Sequence, residues 1–167
     1  EEWRIAMLRV SNVAGAFEHG ILGEFIPPLP KNMLSLAMQV AAQQRDVIEL
    51  QQNENTADQS VERSFVHVLD VCEAIHQSLH WLFAQSSCCE AFDIAGEVIS
   101  MKQLLSQVEA VTQTKIPTEP ASVQWHELLQ MGSDSNKAEQ QLKWHAKRNV
   151  TQMIEDQWRF YQNLLNH

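Results

Sequence analysis

The stretch Ser64-Phe65-Val66-His67-Val68-Leu69-Asp70-Val71 passes from strand to helix almost without a linker, and that limits the folds open to the chain. Phe65, Val66 and Val68 are bulky and suit a strand. From Val68 the apolar residues fall at helical spacing, as Val68, Val71, Cys72, Ile75, Leu79, Leu82 and Phe83. Asp70 suits a cap or first turn, because its carboxylate accepts free amide protons and complements the helix dipole. A strand feeding straight into a helix is the unit of an alternating architecture.

The remainder of the chain repeats that alternation. Residues 5–10 form a nearly continuous apolar run, which suits a strand covered on both faces. Residues 47–50 and 91–94 read as further short strands. Helices are predicted after Asn32 (Met33, Leu36, Ala37, Val40, Ala41) and after Ser100 with Gln103 (Met101, Leu104, Leu105, Val108, Val111). Two more are predicted, from Asp134 to Leu142 and from Asn149, the last with Val150, Ile154, Trp158, Tyr161 and Leu165 on one face. Residues 11–15 and 51–59 read as loops. So do residues 16–31, which hold three of the five prolines. Residues 114–120 read as extended, and 121–133 show no clear pattern. The fold class is α/β.

Composition narrows the function. The chain has 167 residues, enough for a real core. Its net charge of −9 argues against nucleic acid, because phosphate binding needs a concentrated basic surface. No apolar run approaches the ~20 residues of a membrane span, and no signal peptide is visible. The three cysteines, with Cys88 and Cys89 adjacent, make no disulfide framework, so a reducing cytoplasm is expected. The sequence opens Glu1-Glu2-Trp3 without methionine, and a trimmed domain or fragment is expected.

Several residues are candidates for a site. Arg63 stands just before the strand, and a guanidinium suits a diphosphate because it offers a planar fork of donors and stays charged. The Asn12 amide follows the first strand, and ligands of open α/β sheets bind beyond the carboxyl ends of strands. Asn32 opens a helix, where free amides and the dipole favour an anion, although it can equally serve only as a cap. Cys72, His76 and His80 stand four apart on one helix. Two His at that spacing can chelate a metal. No carboxylate or second cysteine cluster accompanies them, so no metal is expected.

Arg63-Ser64-Phe65-Val66-His67-Val68-Leu69-Asp70 resembles the Arg-Asp-(Phe/Tyr)-(Ile/Val)-His-Val-x-Asp segment of extended short-chain dehydrogenases/reductases, in particular the UDP-glucose 4-epimerase-like, NAD-dependent epimerase/dehydratase family. Leu8-Arg9-Val10-Ser11-Asn12-Val13-Ala14-Gly15 is similar to that family's Leu-Arg-x-x-Asn-x-x-Gly. Leu29-Pro30-Lys31-Asn32-Met33-Leu34 is similar to its Pro-x-Asn-Leu, and Asp134-Ser135-Asn136-Lys137-Ala138 with Leu142-Lys143-Trp144 to its Asp-x-Ser-Lys-Ala … Leu-Gly-Trp. The matches run from Leu8 to the last helix and correspond to the family's carboxyl-terminal half. Residues 1–15 would be the last part of the Rossmann-type sheet and residues 16–167 a substrate-binding domain, with the NAD-binding half absent.

The resemblance implies that Asn12, Asn32, Met33 and Arg63 contact a UDP-sugar. It also implies that His67 and Asp70 shape the turn rather than react. The chain departs from the family at Val10 and Ser11, where aromatic residues are usual, and at Ser64, where aspartate is usual. The second phosphate arginine of the family has no counterpart around Gln124. The five glycines form no Gly-x-Gly-x-x-Gly, and Tyr161, the only tyrosine, is followed four residues on by Leu165 rather than by the lysine of the family's Tyr-x-x-x-Lys. The expected function is therefore the sugar-nucleotide-binding fragment of an NAD-dependent epimerase. Neither a catalytic group nor NAD binding is expected of the fragment alone, and self-association through the first strand is. The alternatives are a sugar-nucleotide dehydratase or reductase of the same superfamily, or a non-catalytic ligand- or protein-binding module.

Overall fold

A computed structural model describes residues 3–17, 20–25, 30, 32–122, 130–131 and 134–165. Strand β1 (Arg4–Val10) is followed by β2 (Asn12–Ala14), helix α1 (Met33–Ala41) and β3 (Ile48–Leu50). Then come β4 (Glu62–His67), α2 (Val68–Phe83), β5 (Cys88–Ile94), β6 (Glu97–Ser100) and α3 (Met101–Thr112). The chain continues with β7 (Thr118–Pro120), β8 (Gln130–Met131), a π-helical turn (Ala138–Leu142) and α4 (Val150–Leu165).

Three small sheets share the strands. β1 pairs in parallel with β5, Arg4 opposite Cys88 through Val10 opposite Ile94. A second sheet has the order β2-β4-β6, with β8 also paired to β4. β3 pairs with β7. The predicted elements are present, the one expected from Asp134 to Leu142 as the π-helical turn, and three strands are additions: β2 within residues 11–15, read as a loop, β6 and β8. Three residues are too few to show a periodicity. Cys88 and Cys89, read as a loop pair, open β5 as free thiols. The expected division at residue 15 is crossed by the β1–β5 pairing. Leu29, Lys31, Gln124 and Gly132, and the missing second arginine around Gln124, lie outside the described residues.

Two hydrophobic clusters cover the two faces of the β2-β4-β6 sheet. Side chains alternate across a strand. Phe65 of β4 points into a large cluster with Leu34 and Met38 of α1, Leu104 and Val108 of α3, and Ile154 of α4. Val66 points the other way, to Phe92, Ile94, Leu142 and Trp144.

Helix α2 is seated by a polar seam. Its buried residues are Asp70, Ala74 and Ser78, while Ile75, Leu79 and Phe83 are exposed, Phe83 by 78%. The apolar stripe is split, with Val71 packed against the second cluster and Ile75, Leu79 and Phe83 facing outward. Asp70 explains the orientation. Its carboxylate accepts from the backbone amides of Lys147 and Arg148, each at 3.0 Å, and pairs with the Arg148 guanidinium. Its carbonyl accepts from Trp144 Nε1 at 2.8 Å. Four bonds to one buried residue fix the helix rotation more firmly than three exposed apolar side chains can.

Candidate functional site

The candidate site grows from the β2–β4 pair. Asn12 lies opposite Phe65, Val13 opposite Val66 and Ala14 opposite His67. Directly paired residues share a face, as do alternate residues along a strand. Asn12, Phe65 and Arg63 therefore stand on one face, with Ala14 of the same face inside the large core cluster. Ile99, opposite Arg63 on β6, belongs to that cluster too, and Met33 of α1 packs against it. The structure thus puts Asn12, Arg63 and Met33 on one side of a single sheet, with Asn32 one residue before Met33.

The polar groups are oriented by local bonds. Asn12 is exposed, and its Nδ2 donates to the Ser64 carbonyl at 2.9 Å. Arg63 Nη1 donates to the Glu62 carbonyl at 3.0 Å. Ser64, where the family has aspartate, is buried, and its hydroxyl donates weakly to the Gly96 carbonyl at 3.4 Å. The hydroxyl of Ser11 is buried with no partner among the described residues.

Asn32 is more occupied than its sequence context indicates. Its Oδ1 accepts from the Ser35 amide at 2.7 Å, a helix cap. Its Nδ2 donates to Glu24 Oε1 at 2.9 Å. Glu24 Oε2 also accepts from Ser35 Oγ at 2.8 Å and from Gln157 Nε2 at 3.3 Å, while Gln157 Oε1 takes the Gly15 amide at 3.1 Å. A carboxylate from the chain itself therefore stands at the α1 N-terminus, where an anion is favoured. Sequence reasoning missed Glu24 and Gln157. Glu24 sits in an irregular loop, and a buried glutamine in a helix has no periodic signature.

A cavity of about 440 Å³ opens at the carboxyl ends of β2 and β4, lined by Ala14, Gly15, Glu24, Leu69, Cys72 and Gln157 among others. Its position fits the rule for ligands of α/β sheets. Asn12, Asn32, Met33 and Arg63 do not line it. Glu24 is the link, since it touches both the cavity and Asn32. A second cavity, of about 420 Å³, includes Lys147 and Arg148, but both cations are already paired, with Glu73 and with Asp70.

His67 sits beneath the first cavity, fully buried. Its Nδ1 accepts from the Leu69 amide at 3.1 Å and caps α2. The proton is then on Nε2, which faces Asp156 Oδ2 at 3.3 Å. Burial pushes the imidazole below its ordinary value, against the pull of Asp156. Gly15, at φ +85°, packs so closely that a Cβ there would lie 2.5 Å from His67 Nε2. The expectation that His67 is a satisfied structural histidine holds. Asp70 likewise bonds only to the chain's own groups in every contact described above.

Tyr161 donates to Gln44 Oε1 at 2.5 Å from a buried position, and burial pushes its phenol upward. Gly15 closes on His67, and Gly96 turns between β5 and β6 with its α-carbon against the Phe65 carbonyl. Neither glycine begins a strand-to-helix turn. Among the described residues, no helix is long and apolar enough to cross a membrane.

No protein-family profile matches the chain. A UDP-glucose 4-epimerase 4 from Oryza sativa subsp. japonica is 32% identical over 159 residues, which are 94% of this chain and 43% of that protein. A crystal structure of a UDP-glucose 4-epimerase superposes with a TM-score of 0.89 at 31% identity, covering 98% of this chain and 50% of that one. The epimerase of Stenotrophomonas maltophila, solved with NAD and formylated UDP-arabinopyranose, shares the fold with a TM-score of 0.93 at 24% identity, over 99% of this chain and 50% of that one. The chain spans about half the length of the relatives it matches. In sequence along nearly all its length, and in fold, it is UDP-glucose 4-epimerase-like, and it corresponds to the carboxyl-terminal half of those extended short-chain dehydrogenases/reductases.

Proposed function

We propose that this chain is the sugar-nucleotide-binding part of an NAD-dependent UDP-glucose 4-epimerase-like enzyme, with β1 and its partner β5 together belonging to a Rossmann-type sheet. The observation that carries this reading is the shared face of Asn12, Arg63 and Met33 on one sheet. Arg63 meets the diphosphate with a charged fork. Asn12, held by the Ser64 carbonyl, keeps its amide oxygen for a sugar hydroxyl. Met33 gives an apolar contact beside them. Asn32 acts through its cap and its bond to Glu24, which fix the start of α1. In the whole protein NAD supplies oxidation and re-reduction of the sugar at C4, and no residue of this chain carries the proton. A dehydratase or reductase of the same superfamily would use the same face.

The test is a UDP titration followed by amide NMR. UDP shifts resonances at Asn12, Asn32, Met33 and Arg63 at millimolar concentration. A charge-assisted contact is worth about 1.5–3 kcal/mol, so Arg63→Ala weakens binding roughly tenfold or more. No perturbation at those amides, or unchanged affinity in the variant, overturns the reading.

A further inference from the structure

Against the expectation of no metal at these residues, we propose that His76 and His80 form a bidentate site for a divalent transition-metal ion on the outer face of α2. The two residues lie one helical turn apart, and both are exposed. Their Nε2 atoms are 3.1 Å apart, with the rings edge-to-face and their centroids separated by 4.5 Å. Imidazole nitrogens bind such ions at about 2.0–2.1 Å, so two of them on one ion, at angles between square and tetrahedral, stand about 2.9–3.3 Å apart. The observed separation falls inside that range. The pair is therefore already gathered to the bite of a chelate, and an ion replaces a single shared hydrogen bond at little cost in side-chain reordering. Both nitrogens are the Nε2 type commonly used for ligation, and imidazole suits Zn²⁺, Ni²⁺ and Cu²⁺ over harder cations.

No group of three metal-binding side chains exists among the described residues. The site thus offers two protein donors, and its remaining positions are open to water or to a donor from another molecule. Cys72 is exposed one turn before His76, on the same side of the helix. It is not part of the pair. The site is remote in sequence from Asn12, Asn32, Met33 and Arg63, so its test is independent of the sugar-nucleotide reading.

The experiment is a calorimetric titration of the 167-residue chain with Ni²⁺, which leaves free thiols unoxidised, in parallel with His76→Gln, His80→Gln, Cys72→Ser and His145→Gln variants. His145 is an exposed histidine elsewhere. The expected result is one site in the parent, weakened roughly tenfold or more by either α2 histidine variant, because each removes one of two ligands. Cys72→Ser and His145→Gln bind as the parent does. All four substitutions are at exposed positions, and matching thermal melts confirm that the fold is kept. Absence of binding in the parent, equal binding in the α2 histidine variants, or loss of binding in Cys72→Ser overturns the proposal.

Discussion

At the scale of single residues, the account rests on a few atoms that tolerate no substitute. Gly15 is the sharpest case. A side chain there meets the His67 ring and must adopt a left-handed backbone. Overpacking costs about 1–3 kcal/mol and the backbone about 1–2 kcal/mol, so Gly15→Ala destabilises by about 2–5 kcal/mol, read as a lower urea midpoint. His67 adds a pH dependence. The unfolded histidine takes up a proton near pH 6.5, while burial holds the folded one below that. Below about pH 6.5 the unfolded state therefore binds more protons, and stability falls as pH drops through that value. Urea midpoints measured between about pH 7.5 and pH 5.5 show this step, and His67→Gln flattens it. Glu73, held low by its bond to Lys147, loses its contribution only further down, in the carboxylate range. The residues with a strong local signature were legible in the sequence, Asn32 as a cap and Asp70 as a first-turn carboxylate, whereas Arg63, read as standing before the strand, lies inside β4. Glu24 and Gln157 were not, because Glu24 lies in an irregular loop and the partners of Gln157, Gly15 and Glu24, are more than a hundred residues away in the chain.

At the scale of elements, periodicity placed the helices and most strands, since each is long enough to show its repeat. It failed at β2 and β6, which have three and four residues, and it left open which face of α2 is covered. A hydrophobic stripe says that a helix has an apolar face, not what covers it. The rotation of α2 is instead set by Asp70 and the 144–148 segment. Removing one partner from a buried ion pair typically costs about 3–5 kcal/mol, and Asp70→Ala also strands two backbone amides. The variant is expected to fall in that range in chemical denaturation, far above the effect of Leu79→Ala on the exposed stripe. Equal effects would show that the stripe, not Asp70, seats the helix.

At the scale of the whole molecule, α/β alternation and the order of motifs identified the architecture before any contact was known. Pairing within the sheets and the shared face of the site required the structure. β1 has β5 on one edge and, among the described residues, no strand on the other. Ile5 and Met7 are partly exposed along it. An unpaired apolar edge invites another chain, and closed two-fold pairing is the commonest outcome for identical chains. We expect light scattering over a concentration series to reveal a dimer, weakened by Met7→Lys because the charge must be desolvated on pairing. A monomer at high concentration would contradict this. The central claim, that the chain holds the sugar-nucleotide side of an epimerase-like protein and not its NAD side, is tested most directly by calorimetric titration with UDP and with NAD in parallel. The account predicts weak UDP binding that Arg63→Ala reduces, and no binding of NAD. Micromolar NAD binding, or NAD binding without any response to UDP, would contradict it.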